Sequence, residues 1–146
     1  MTAKLLPYLG AIFFYLITHS AWAGEIQVRD AWIREAPSSA RVLAAYMVIT
    51  NTGKNPVRFK GAECSAFAMV ELHQSMMHQG KMRMMALESL QIAPGESVVL
   101  KPGSYHLMLI DPQIKLQVGD QVRLQLHFDP GENLLVTAIV RKGSLN

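Results

Sequence analysis

The amino-acid sequence predicts an all-β fold, an antiparallel β-sandwich or barrel. Three observations predict it. Short runs rich in β-branched and aromatic residues, many with two-residue alternation, recur along the chain. Pro, Gly, Asn and Asp punctuate them at close intervals. Stretches of helical period long enough to propagate are missing. The chain has 146 residues, half of them hydrophobic, enough for one domain with one filled core.

Taken in order, the first 23 residues read as an export signal. Lys4 gives a short basic start, an apolar run extends from Leu5 to about Ile17, and Ala21-Trp22-Ala23 supplies the small-x-small pattern that precedes cleavage. An uncleaved anchor is the competing reading. Pro7 and Gly10 break the run, which is short for a span of about 20 residues, so cleavage after Ala23 is favoured. The protein is then periplasmic, with one domain over residues 24–146.

Strands are expected at about Ile26–Arg34, Val42–Thr50, Val57–Ala62, Met69–His73 and Leu90–Ile92. Four more follow at Val98–Lys101, Tyr105–Ile110, Gln121–Phe128 and Leu134–Val140. Turn signals separate them, among them Asn51-Thr52-Gly53, Pro94-Gly95, Pro102-Gly103, Gly119-Asp120 and Asp129-Pro130-Gly131. The phrase IAPGESVVLKPGSYHLML is expected to form a hairpin-like unit. In QVRLQLHF, Val122, Leu124 and Leu126 take one face, and His127 lies on the other, solvated side. The best helix candidate, around Leu72–Leu87, is broken by Gly80.

Removing the leader takes Lys4 with it and leaves 13 basic against 11 acidic side chains. These charges are scattered, without a basic block or interleaved aromatics, so a nucleic-acid partner is unsupported. Cys64, the single cysteine, has no intramolecular disulfide partner; its small and apolar surroundings suggest a buried packing role.

The methionines are the anomaly. Eight follow the initiator, and Met76, Met77, Met82, Met84 and Met85 fall within ten consecutive residues, with His73 and His78 beside or inside that window. A thioether is soft, neutral and not protonated at ordinary pH. Met with His suits Cu(I), whereas Mg²⁺ and Ca²⁺ prefer oxygen ligands and zinc usually takes Cys, His or carboxylate. Downstream, strand alternation puts His106 and Met108 on one side, with Tyr105, Leu107 and Leu109 directed into the core.

His73, Met84, His106 and Met108 stand in the spacing H-x10-M-x21-H-x-M. With 9 Met and 5 His in 146 residues, three further matches at fixed offsets from one His have a chance of ~10⁻⁴. This signature, with VELH, GKMRM and LKPGSYHLML around it, resembles that of the periplasmic PCu(A)C copper chaperones. The resemblance extends from DAWIREAP to VRLQLHF. It implies a cupredoxin-like sandwich that binds one Cu(I) through those four side chains. It also implies delivery of copper for assembly of the CuA centre of cytochrome c oxidase, with oxidase subunit II or another copper chaperone as acceptor.

The residues leave other readings to be weighed. Met82 and Met85 are neighbours that could replace Met84 after a small register shift. Glu71, two residues before His73 on one strand face, is placed to accept a hydrogen bond from that imidazole. Met76, Met77, Met82 and His78 form either a loosely packed loop, a weak second copper site or an adaptable docking surface. Trp32 and Tyr46 read as core or rim aromatics. A cupredoxin electron-transfer protein would need a thiolate at short spacing to His and Met, which Cys64 lacks. An exported sandwich serving only in adhesion or assembly is the remaining alternative. Enzymatic motifs are not found: there is no Gly-x-Ser-x-Gly turn and no His-Glu-x-x-His helix. A monomer is expected, with a copper-bridged dimer as the variant.

Overall fold

A computed structural model of the protein describes residues 25–131 and 133–143. The expected export signal lies outside the described residues.

All ten regular elements among the described residues are strands. They are β1 (Ile26–Arg34), β2 (Val42–Asn51), β3 (Val57–Glu63), β4 (Phe67–His78), β5 (Lys81–Ala86), β6 (Leu90–Ile92), β7 (Ser97–Leu100), β8 (Tyr105–Pro112), β9 (Gln121–Asp129) and β10 (Leu134–Arg141). They join in one strip with the order β5-β4-β8-β7-β2-β1-β10-β9-β3-β6, and β8 also pairs with β2. β3 and β4 lie far apart in that order yet touch, so the strip folds over on itself as a sandwich.

The alternation read in the sequence becomes the inside and outside of this sandwich. Leu43, Ala45, Met47 and Ile49 of β2 face the core, as do Leu107 and Leu109 of β8 and Val122, Leu124 and Leu126 of β9. Each fully buried Leu or Ile contributes about 1.5–3 kcal/mol relative to an exposed one, which strongly specifies the register. Bulges fall where β1 passes Asp30 and where β3 passes Gly61. Gly61 has φ +106°, a conformation that glycine takes without the Cβ penalty.

The strands depart from expectation in three places. β4 runs five residues beyond His73, turns at Gln79-Gly80 and returns as β5, so Leu72–Leu87 is a hairpin rather than a broken helix or loop. Gln79 and Gly80 have φ of +49° and +73°, the two left-handed positions of a type I′ turn. The IAPGESVVLKPGSYHLML phrase is not a hairpin. β7 pairs with Met47–Thr50 of β2 and β8 with Val42–Ala45, so the two lie end to end along the same strand. Pro102-Gly103 is therefore a step in one path along β2, where hydrogen bonds on both segments replace those a hairpin would make. Finally, β1 and β10 pair in parallel within a sheet that is otherwise almost wholly antiparallel.

Candidate metal centre

β4, β5 and β8 bring the four signature residues to one surface. His73 of β4 lies opposite His106 of β8, and Glu71 lies opposite Met108. On the other side of β4, Ser75 lies opposite Met84 of β5. Residues paired across a ladder share a face, as do residues two apart in a strand. His73, Met84, His106 and Met108 therefore share the sheet face opposite Leu72, Leu107 and Leu109, which carry the core.

The two imidazoles are oriented by different means. The rings lie 5.9 Å apart between centroids, tilted by 44°. His106 Nδ1 is 3.1 Å from the Ser104 carbonyl oxygen, which can only accept, so that nitrogen donates. In neutral His106 the lone pair is then on Nε2. His73 Nε2 lies 2.8 Å from Glu71 Oε2, the contact expected from the spacing of the two residues, and donates to that carboxylate. His73 Nδ1 is buried without a hydrogen-bond partner. A buried acceptor left alone is costly, and an arriving cation would supply what it lacks. Each ring thus has one nitrogen held by oxygen and one lone pair available, the usual arrangement of metal-binding histidines.

The thioethers border an opening beside the rings. Met84, His106 and Met108 line a cavity of about 230 Å³, with Tyr46, Arg34, Ala36 and Ala44 on its other walls. His73 is not among its lining residues and meets the site through His106 and Glu71. Ala44 stands opposite Met108 on β2, and its small side chain leaves space above the sulfur. Tyr46 is buried and packs against Trp32 at 4.7 Å between ring centroids, which makes these two the rim aromatics anticipated. Burial pushes the Tyr46 phenol above its ordinary pKa, an effect partly opposed by the charge of Arg34 and its hydrogen bond.

Among the described residues no three or more His, Cys, Asp or Glu side chains are grouped to hold a metal. The thioethers beside the two imidazoles are the soft donors on this face, and such a donor set suits a soft ion. Cys64 does not contribute. It is half-buried rather than fully packed, and it lines a different cavity with Arg123, Gln125 and Leu135. Burial raises the pKa of its thiol, so the thiolate is disfavoured there. His127 is also less solvated than expected, being half-buried and 2.9 Å through Nδ1 from Asn133 Oδ1. The Met-rich window divides between faces: Met77 and Met82 fall on the side of His73, while Met76, His78 and Met85 fall on the reverse.

Comparison with known proteins identifies the family and the fold. The family model described as "Putative lipoprotein LpqE-like" matches residues 26–140. "Putative lipoprotein Lxx21020" of Leifsonia xyli subsp. xyli (strain CTCB07) is 30% identical over 120 residues, covering 82% of this chain and 71% of its own. RP573 of Rickettsia prowazekii (strain Madrid E) is 29% identical over 66% of this chain, which spans about half of that protein (54%). Among solved structures, the copper-bound PCuAC domain from PmoF2 superposes with a TM-score of 0.70 at 22% identity, covering 82% of this chain and 95% of that one. The solution structure of CuI-DR1885 from Deinococcus radiodurans gives a TM-score of 0.63 at 29% identity, covering 86% and 84%.

Proposed function

The chain belongs to the LpqE-like family, of the PCuAC type, and from that premise we propose that it is a copper carrier that takes Cu(I) as cargo. The observation that carries this reading is the pair of oriented imidazoles, with free lone pairs at His73 Nδ1 and His106 Nε2, beside two thioethers on one sheet face. In this reading His73, Met84, His106 and Met108 are the ligands, and one ion is held per chain. The copper-bound and CuI states named for the PmoF2 domain and DR1885 support the choice of metal.

The residues divide the work. His106 and Met108 project from one strand with little freedom to lose on binding. Glu71 steadies the His73 ring and places a carboxylate near the monovalent cation. All four ligands are neutral, so an acceptor's thiolate or thioether can replace one thioether at a time. The copper keeps its oxidation state throughout, and this is transfer without catalysis. Cys64 lies apart from both histidines, which disfavours the blue-copper alternative.

The finer reading places the protein in the periplasm after loss of residues 1–23. The acceptor is the CuA-bearing subunit II of cytochrome c oxidase or another copper chaperone. The family's lipoprotein name and the apolar N-terminal run support export. A chelator competition under anaerobic, reducing conditions tests the carrier: one tight equivalent of Cu(I) is expected, greatly weakened in His106→Ala and Met108→Ala. Unchanged affinity in both variants overturns the ligand assignment. Acid should also release the metal, since both imidazoles must be neutral to bind it.

A further inference from the structure

The β4–β5 hairpin carries more sulfur than a single copper centre requires. Met76, Met77, Met82, Met84 and Met85 are all exposed, Met77 at 65% and Met82 at 56%. A methionine in a core fills a gap, but among the described residues β5 has no strand beyond it, and every residue of it is exposed. These thioethers are not serving as packing.

Register sorts them. The two-residue turn makes His78–Lys81 the hydrogen-bonded closing pair, so Met77–Met82 is the next, non-hydrogen-bonded pair, in which side chains approach most closely. Across such a pair Cβ atoms lie about 4.5–5.5 Å apart, and a diagonal neighbour such as Met84 lies within about 7–8 Å of Met77. Long, flexible side chains span those distances to a common ion. Met77, Met82 and Met84 stand on the face that carries His73 and His106, and Met84 also borders their cavity. Met76, Met85, Lys81 and Arg83 occupy the reverse face, so both cationic side chains of β5 point away from the sulfur group.

We propose that Met77 and Met82, with Met84 as the shared member, form a second, weaker Cu(I) site at the hairpin tip that loads and unloads the inner centre. This inference rests on the copper-carrier reading. Copper enters on thioethers alone, and Met84 keeps its bond while His106, Met108 and His73 displace Met77 and Met82. Unloading reverses these exchanges. No electron or proton moves.

The test is a titration with the acetonitrile complex of Cu(I), under nitrogen, of protein labelled with ¹³C at the methionine methyl groups. The first equivalent should shift Met84 and Met108. A second, more weakly held equivalent should shift Met77 and Met82 and leave Met76 and Met85 in place. The double variant M77L/M82L keeps the volume and should bind one equivalent with unchanged affinity, while losing the second and slowing transfer to a chelator at least several-fold. Saturation of the wild type at one equivalent, with no response from Met77 or Met82, overturns the proposal. Equal shifts on both faces also overturn it, since they mark the hairpin as a non-specific soft surface. An H106A/M108L variant separates the two readings. If it loses only the tight equivalent, both stand; if it loses nothing, the inner ligand set is wrong, and the hairpin site is then decided by M77L/M82L alone.

Discussion

His106 and Met84 belong to the same face of the sheet, yet their settings are opposite. His106 lies on β8, bonded on one side to β4 and on the other to β2, and is 5% exposed. Met84 lies on β5, the end of the strip, and is 52% exposed. His106 is set by the core behind it, since Leu107 beside it and Leu109 further along the strand are wholly buried. Met84 is carried by a hairpin whose return strand is exposed at every residue. A carrier needs both qualities, because an ion held only by core strands would leave slowly and one held only by a hairpin would be lost. If both residues hold the ion as proposed, retention falls to β8 and exchange to β5.

The largest effect should come from breaking the fixed half. His106→Ala removes an oriented ligand and should weaken Cu(I) by more than the ~10–100-fold that loss of a supporting partner costs. Met84→Leu should cost about 10-fold at most, because Met82 stands two residues away on the same face; an equal loss in both variants, measured by chelator competition, would erase the contrast. Glu71→Ala releases His73 Nε2 and should weaken binding about 10-fold with little change in folding. Its effect should reach the ion through His73, so combination with Met84→Leu, which acts on the same ion, should depart from additivity.

Stability should divide along the same line. Leu107→Ala, in the core behind the site, should cost about 2–5 kcal/mol in denaturant unfolding. Met82→Ala, on the exposed strand, should stay within about 0.5 kcal/mol. Comparable losses at both positions would show that the hairpin is integral to the folded core. The smallest effect concerns Tyr46, whose folded pKa is raised by burial. Its contribution is fully present below the ordinary tyrosine pKa of about 10 and is lost as pH rises above it. Ultraviolet titration should show a late-ionising phenol that disappears in Tyr46→Phe, together with a weaker decline of stability in alkali.

How much of this was legible in the sequence depends on the range of the forces involved. The strands Ile26–Arg34 and Leu90–Ile92 match their expected bounds, and His106 and Met108 share one face as expected, because alternation is a local property of the backbone. The contact between Glu71 and His73 was legible for the same reason, two residues apart on one strand. β5 was missed because KMRMMA lacks β-branched and aromatic residues, although Lys81-Met82-Arg83-Met84 alternates polar with apolar. The half-burial of Cys64 and of His127 depends on neighbours remote in sequence, such as Arg123 and Leu135 in the first case and Glu63 in the second.

The sequence by itself determined the all-β class, the inward residues of β8 and β9, and the soft-ligand spacing that points to copper. Its periodicity reports only which side of a strand each residue takes. Which strand lies beside which was decided by the tertiary structure, where buried surface selects among pairings that local turns leave open. β7 and β8 therefore share β2 instead of pairing with each other, and His73 meets His106 across 33 residues of chain. The open edge of β5 follows from that same strand order, because among the described residues no further strand covers it.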